Sequence, residues 1–206
     1  MHDIEIIKSP ENTPENQKQI ADVVAAAWWA DFARLAKSRD AAANSLAGGF
    51  AAQHFFLARL KGRSEGSARG QTVGVAACVP GGQRSFAVIA KKMRKNLNFP
   101  LNLFAPGVLR KEFEGPPHVA IGPDEGFIEF VGTLPECQGK GVATALMRAI
   151  MDSTPHPRLV LEVVSSNTGA HALYQRLGFV EFARIPEKNP RQAGFDARIY
   201  MEWVRA

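Results

Sequence analysis

Residues 127–144 read Phe127-Ile-Glu-Phe-Val-Gly-Thr-Leu-Pro-Glu-Cys-Gln-Gly-Lys-Gly-Val-Ala-Thr144. The first part is dense in β-branched and aromatic residues, which favours a buried strand. Pro135 has no N–H with which to extend a sheet, so the strand is expected to end at it or just before it. Beyond the turn, Val142, Leu146 and Ile150 recur at helical spacing. The stretch therefore predicts a strand, a glycine-bearing turn and a helix.

The turn in this stretch is Gln138-Gly-Lys-Gly-Val-Ala143. Its two glycines let the backbone approach a ligand closely and let N–H groups point into one concavity. The following helix adds unpaired N–H groups and a partial positive charge, a combination that holds phosphate or pyrophosphate. An ordinary connection between a strand and a helix has the same features, and the turn matches neither the Walker pattern nor Gly-x-Gly-x-x-Gly. The glycines alone leave both interpretations open.

Two motifs in the chain match one known family. The turn fits the pattern Gln/Arg-x-x-Gly-x-Gly/Ala, and Asn167-Thr-Gly-Ala-His-Ala-Leu-Tyr-Gln-Arg-Leu-Gly-Phe179 fits Asn-x-x-Ala-x-x-Leu-Tyr-x-x-x-Gly-Phe. In this order, within residues 126–182, they resemble the GCN5-related N-acetyltransferase (GNAT) family. The ending Gly-Phe-x-x-x-x-x-Ile-Pro-Glu, at residues 178–187, is similar to the puromycin N-acetyltransferase-like branch.

The resemblance implies a fold and an activity. The expected fold is α/β in layers, with a mixed, mostly antiparallel central sheet flanked by helices, as one domain over residues 1–206. The expected activity is the direct transfer of an acetyl group from acetyl-CoA to a primary amine of a small-molecule or protein acceptor. A catalytically inactive acyl-CoA-binding regulatory module is the alternative.

The same resemblance implies which residues bind coenzyme A. Backbone groups of the central strand are expected to pair with the pantetheine amides, and N–H groups of the turn are expected to hold the pyrophosphate. Asn167 is expected to contact the coenzyme, although a helix cap would explain it equally well. The strand residues are Val131, Gly132 and Thr133, and the turn residues are Gln138, Gly139, Lys140, Gly141, Val142, Ala143 and Thr144.

Tyr174 and Glu129 are the candidate catalytic residues. By resemblance, Tyr174 protonates the leaving thiolate, because a phenol is protonated at neutral pH; a core tyrosine bonded to backbone is the alternative. Glu129 shares strand parity with Val131 and Thr133, and a carboxylate in an apolar strand must be solvated or paired. It is therefore either the general base or half of an ion pair. Glu162, on the neighbouring predicted strand, and His118 are the next candidates for the base after Glu129.

Composition bounds the possible partners. The 206 residues are 46% hydrophobic and 22% charged, as expected for a globular protein. The net charge of +5 suits a polyanionic ligand such as coenzyme A. Lys91-Lys-Met-Arg-Lys95 is the only basic cluster and favours a solvated helix face over a nucleic-acid site.

Several absences are also predicted. No run approaches the roughly 18 apolar residues that span a bilayer, so no membrane partner is expected. Two cysteines, Cys78 and Cys137, form neither a disulfide framework nor a metal site. The chain is accordingly expected to be cytoplasmic, to need no metal, to bind no nucleic acid, and to be a monomer or homodimer.

The rest of the chain shows weaker patterns. Helices are predicted over residues 14–32, 40–46, 86–97, 108–113 and 168–177, with Thr13 as an N-cap, and strands over residues 4–7, 52–60, 71–79, 158–164, 180–185 and 197–204. Residues 62–70 are the most loop-like segment. Residues 83–126 contain many helix breakers and apolar side chains, which suits either a folded lid over the acceptor or a packed surface loop.

Overall fold

The computed structural model describes residues 4–61 and 70–205. The strands are β1 (Ile4–Lys8), β2 (Phe55–Leu60), β3 (Thr72–Pro80), β4 (Gly126–Thr133), β5 (Arg158–Val164), β6 (Val180–Pro186) and β7 (Ala197–Val204). The helices are α1 (Pro14–Ala27), α2 (Trp29–Phe32), α3 (Arg39–Leu46), α4 (Ala90–Asn96), α5 (Leu101–Phe113), α6 (Val142–Ser153), α7 (Thr168–Arg176) and α8 (Pro190–Ala193). The loop predicted at residues 62–70 lies, except for Gly70, outside the described residues.

Seven strands among the described residues form one mixed sheet in the order β1-β2-β3-β4-β5-β7-β6. Pairing is antiparallel between β1 and β2, β2 and β3, β5 and β7, and β6 and β7, whereas β4 and β5 are parallel. The predicted α/β class, with a mostly antiparallel sheet and flanking helices, is therefore confirmed. Within the described ranges, no helix is long and apolar enough to cross a membrane.

The chain groups into two compact units. The first contains Met1–Ala77, Arg84–Gly115 and Phe130–Ala149, and the second contains Cys78–Gln83, Pro116–Glu129 and Ile150–Ala206. The expectation of a single domain over residues 1–206 stays a prediction.

The first helix of the first unit begins as predicted and ends early. The Thr13 hydroxyl accepts a hydrogen bond from the Asn16 N–H at 3.2 Å, and Pro14 is the first helical residue. A single helix over residues 14–32 was expected, but Trp28, with φ −105° and ψ 30°, separates α1 from α2. Its ring packs against Gly132, where a Cβ atom would lie only 2.6 Å from the indole. Packing of the indole thus accounts for the break.

The segment between β3 and β4 also differs from the prediction. Phe99-Pro100 and Ala105-Pro-Gly107 were expected to interrupt the helices predicted at residues 86–97 and 108–113. The first interruption is present, because α4 ends at Asn96 and α5 begins at Leu101, but α5 then runs unbroken to Phe113. A proline inside a helix removes one backbone hydrogen bond and crowds the preceding turn. Ala105 and Pro106 are the buried residues of α5, so their packing offsets that loss and keeps the helix continuous.

The core of the second unit lies on one face of β4, β5 and β7. It contains Val79, Phe127, Val160 and Tyr200, with Val119, Ile121, Ala183 and Ile185 packed against it. The predicted strand bounds of β5 and β7 are confirmed, as is the helix stop at Gly178, which has φ +91°.

Candidate active site

The turn after β4 is held open by its glycines. Residues 138–141 are exposed and follow a short 3₁₀ turn over Pro135–Cys137. Gly139 has φ +71° and Gly141 has φ +82°, a left-handed conformation that costs other residues about 1–2 kcal/mol. A Cβ atom at either position would meet no atom within 4 Å. These glycines are therefore required by the backbone conformation and face open space rather than packed side chains.

The start of α6 leaves several N–H groups without partners in their own helix. The carbonyl of Gly141 accepts from the Ala145 N–H at 3.0 Å, which makes Gly141 the N-cap of this 12-residue helix. A glycine cap has no side chain to bond the N–H groups of the first turn. The first turn carries no acidic residue, so the partial positive charge of the helix is not neutralised there. This arrangement fits an anion of the phosphate type.

An aromatic cluster shapes the second half of β4. Phe130 has φ +51°, which is rare for a residue with a bulky side chain. Its ring centroid lies 5.4 Å from those of Phe50 and Phe113. Three further ring contacts are longer, at 6.0 Å to Phe86, 6.2 Å to Phe55 and 6.5 Å to Trp28. Burial of these rings against each other holds the strained backbone in place.

The conformation of Phe130 corrects the sequence argument about Glu129. The expectation that Glu129, Val131 and Thr133 share one side assumed regular alternation along the strand. A left-handed residue interrupts that alternation, so strand parity no longer supports placing Glu129 on the same side as Val131 and Thr133. The pairing of β4 with β5 covers Gly126, Phe127 and Ile128, and so ends one residue before Glu129.

Thr133 presents an unsatisfied polar atom at the end of β4. The residue is 8% exposed, and no described group is hydrogen-bonded to its hydroxyl oxygen. Burying a hydroxyl without a partner costs about 1–3 kcal/mol, so such atoms often mark a position where a ligand supplies the partner. With the open turn that follows, Thr133 fits a ligand that carries both polar amides and phosphates, as coenzyme A does.

Two predicted site residues lie on α7 or at its start. The side-chain oxygen of Asn167 accepts from the Ala170 N–H at 3.2 Å, so the helix-cap role considered for it is present. Tyr174 is 5% exposed, and its ring centroid lies 6.1 Å from that of Phe179. Burial raises the pKa of the Tyr174 phenol, and among the described residues none is hydrogen-bonded to its hydroxyl. The hydroxyl is thus protonated at neutral pH and not tied to a described backbone group.

Glu162 is held in a hydrogen-bonded network. Arg198 donates to one carboxylate oxygen at 2.6 Å, and the Tyr200 hydroxyl donates to the other. The Tyr200 oxygen in turn accepts from the His118 N–H at 3.1 Å. Both carboxylate oxygens of Glu162 already accept hydrogen bonds, so this geometry favours a structural role for Glu162.

A family model described as the acetyltransferase (GNAT) family matches residues 25–179. The chain belongs to this family. It is therefore an acyltransferase by class, and the resemblance inferred from the two motifs is confirmed. The narrower likeness to the puromycin N-acetyltransferase-like branch stays a prediction.

Solved structures share the GNAT fold. An N-acetyltransferase from Staphylococcus aureus Mu50 has a TM-score of 0.59 and 20% identity, over 97% of this chain and 100% of that one. The structure of the NatC complex bound to Gag peptide and CoA has a TM-score of 0.57 and 12% identity, over 99% of each chain. At these identities the likeness concerns the fold alone.

One curated relative is similar over a shorter stretch. It is named 5-NmdU N-acetyltransferase, from Pseudomonas phage PaMx11, and is 42% identical over 55 residues. The match spans 27% of this chain and 39% of the relative.

The GNAT motifs did not reveal Tyr200 and Arg198, which hold Glu162. Both lie on β7, directly opposite Glu162 and Val164 of β5 respectively. The polar character of these side chains inside apolar strands is the only signal in the sequence, and it does not give the register. In the described residues, no group of three or more His, Cys, Asp or Glu side chains could hold a metal ion.

A buried thiol and two buried phenols in the second unit predict a loss of folding stability at alkaline pH. Burial, with a smaller contribution from Glu129, raises the pKa of the Cys78 thiol to about 12, and burial also raises the pKa of Tyr174 and Tyr200. These groups bind protons more tightly in the folded state, so their stabilising effect is complete below the unfolded values, about 8.5 for Cys and 10 for Tyr. It is lost as pH rises through the folded values.

We expect the free energy of unfolding, measured by denaturant titration, to fall steadily above about pH 9, the range in which these unfolded side chains ionise. A free energy of unfolding that stays constant to about pH 11 would contradict the raised pKa values of these three side chains. Cys78→Ala should remove the part of this stability loss that begins at the lowest pH, because an unfolded Cys ionises near pH 8.5 and an unfolded Tyr only near pH 10.

Proposed function

We propose that this protein is an acetyl-CoA-dependent N-acetyltransferase that moves an acetyl group directly to a primary amine of a small-molecule or peptide acceptor. The observation that carries the proposal is the turn at residues 138–141. Its two left-handed glycines face open space, and it leads into a helix whose first turn has neither a side-chain cap nor an acidic residue. Family membership supplies the reaction class, and the turn supports the polyanionic co-substrate.

Within this proposal, the backbone groups at the end of β4 and in the following turn bind the co-substrate. Val131, Gly132 and Thr133 would pair with pantetheine amides, and the unsatisfied Thr133 hydroxyl is available as one such partner. N–H groups from Gln138 to Thr144 would hold the pyrophosphate, with the exposed Lys140 adding positive charge. When bound, acetyl-CoA supplies an activated thioester carbonyl.

Two side chains are proposed to move protons. Tyr174 would donate its phenolic proton to the departing thiolate, consistent with a raised pKa that keeps the phenol protonated. Glu129 would accept a proton from the acceptor ammonium, directly or through water, so that the neutral amine can attack. Direct transfer needs no covalent enzyme intermediate, because both reactants are held together.

The acceptor class is an amine. The NatC structure contains a Gag peptide together with CoA, and the phage relative bears the name of a 5-NmdU N-acetyltransferase. Both are consistent with an amine acceptor for this chain. The first points to a peptide, and the second to the compound abbreviated 5-NmdU. We therefore propose that the acceptor screen include peptides with free N-termini as well as small amines.

The proposal is tested by measuring thiol release from acetyl-CoA across that panel, with mass spectrometry of the acetylated product. We expect release that depends on one class of amine. Tight coenzyme A binding by calorimetry with no release on any amine would instead favour the inactive binding module. No binding of coenzyme A would contradict both.

Glu129→Gln tests the base. At neutral pH we expect kcat/KM to fall at least about tenfold, because the neutral amide cannot accept the ammonium proton. The deficit should shrink as pH rises, since the acceptor amine then loses its proton to solvent. The pH profile of kcat/KM gives the answer, and Glu162→Gln, which alters a carboxylate already engaged by Arg198 and Tyr200, is the matched control. An unchanged profile for Glu129→Gln would remove the assignment.

A further inference from the structure

Helix α5 and Phe99, two residues before it, expose an unusual amount of apolar surface. Five large apolar side chains within ten residues are at least 41% exposed: Phe99 (80%), Leu101 (41%), Leu103 (52%), Phe104 (67%) and Val108 (66%). A surface helix ordinarily turns one apolar face to the core and a polar face to water. The buried residues of α5 are Ala105 and Pro106, so this helix is apolar on its exposed side as well. Apolar clusters of this kind mark interaction sites.

The same segment is rich in positive charge. Residues 83–111 contain no acidic residue; the next acids along the chain are Glu112, in the last turn of α5, and Glu114, which forms an ion pair with Arg110. The cations of residues 83–111 are Arg84, Lys91, Lys92, Arg94, Lys95, Arg110 and Lys111. Lys91, Lys92, Arg94 and Lys95 are all exposed on α4, and Arg110 and Lys111 are exposed in the last turn of α5. We call this exposed apolar and basic surface of α4 and α5 the α4–α5 patch.

The patch rests on a packed frame. The side-chain amide of Asn102 donates to the Arg94 carbonyl at 2.8 Å, which fastens the first turn of α5 to α4. Met93 on the inner side of α4 is fully buried, and the Asn98 N–H donates to the Leu35 carbonyl at 2.7 Å. The apolar side chains therefore project from a fixed support.

We propose that the α4–α5 patch docks on an anionic membrane surface. Helices that lie in the interface of a bilayer combine Phe and Leu side chains, which enter the acyl boundary, with Lys and Arg side chains, which bind anionic headgroups. The patch has both kinds of side chain, and the four exposed cations of α4 have no acidic residue on their own helix. The sequence predicted no membrane partner because no segment could span a bilayer, and a surface helix needs no such segment.

The charge and the exposure of the patch favour a membrane surface over a second copy of the chain, another protein or nucleic acid. A two-fold dimer places the same patch on both subunits, which would bring the four exposed cations of α4 near four others. Phe99 and Phe104 also protrude far from the surface, so a rigid protein partner would need matching cavities, whereas acyl chains adapt to them. Nucleic acid would use the cations but leave Leu103 and Val108 without a partner.

Flotation of the full chain with vesicles tests the proposal. We expect binding to vesicles of phosphatidylcholine with phosphatidylglycerol, little binding to phosphatidylcholine alone, and release at high salt. Phe99→Ser combined with Phe104→Ser should reduce binding at least about tenfold, and Lys91→Gln combined with Lys95→Gln should reduce it and its salt dependence. Circular dichroism would establish that each variant is folded.

Val180→Ser combined with Val204→Ser is the matched control, because these residues are 59% and 60% exposed outside the patch. It should leave binding unchanged. Equal binding to both vesicle types, no binding to either, or an equal loss in the control would overturn the proposal. So would a dimer seen by sedimentation that the Phe99 and Phe104 changes dissociate, or patch-dependent binding to duplex oligonucleotides in place of vesicles.

Discussion

Tyr174→Phe is expected to lower kcat for acetyl transfer about a hundredfold or more, the usual contribution of a general acid. The affinity for acetyl-CoA should change little, because phenylalanine keeps the ring that packs near Phe179 and removes only the hydroxyl. Burial raises the pKa of Tyr174, so the wild-type phenol carries its proton throughout the neutral range. Steady-state thiol release and calorimetric titration with acetyl-CoA separate the two effects.

The chain contains one other tyrosine, and it provides the matched control. The Tyr200 hydroxyl bonds to Glu162 and accepts from the His118 N–H. Tyr200→Phe should therefore lower the folding free energy by about 1–3 kcal/mol, because it removes both hydrogen bonds, one of them to a carboxylate. Its kcat per folded molecule should stay near the wild-type value. Full activity of Tyr174→Phe, or an equal loss of kcat in both variants, would remove the acid assignment.

Elements with uniform local signals could be predicted from the sequence. β5 is a run of mostly apolar residues between clear boundaries, and its predicted bounds match the structure. The turn at residues 138–141 could also be predicted, because a left-handed backbone conformation strongly favours glycine and the glycines are visible in the sequence. Both features depend on residues that are close together in the chain.

Other features depend on packing between residues that are distant in the chain, and no local sequence pattern predicts them. Pro106 and Gly107 signal a break by local rules, yet α5 continues through them because Ala105 and Pro106 are buried. The left-handed Phe130 has no sequence signal, since its cause is a cluster of rings that includes Phe50 and Phe113. Parity arguments fail at such a residue, and the Glu129 assignment now depends on experiment.

The register between β5 and β7 is a further case. Glu162 lies opposite Tyr200, and the two are hydrogen-bonded, but nothing in either strand alone specifies which residue faces which. Sequence reasoning therefore placed Glu162 among the candidate bases. The structure instead shows a carboxylate whose two oxygens already accept hydrogen bonds.

Gly141→Val is expected to weaken acetyl-CoA binding at least about tenfold, which is about 1.4 kcal/mol. The new side chain would occupy the open space that the turn faces, and φ +82° would force the turn to rearrange. Both effects would displace the N–H groups proposed to hold the pyrophosphate. Calorimetry with acetyl-CoA measures the change, and the free energy of unfolding is measured alongside it.

Gly194→Val separates backbone strain from ligand binding. Gly194 has φ +79° and also faces open space, so valine there should lower the folding free energy by a similar amount, about 1–2 kcal/mol. Gly194 is the C-cap of α8, and no residue assigned to the co-substrate lies in that helix. Valine at this position should therefore leave the Kd for acetyl-CoA unchanged. Equal affinities for the two variants and the wild type would mean that the turn at residues 138–141 does not hold the pyrophosphate.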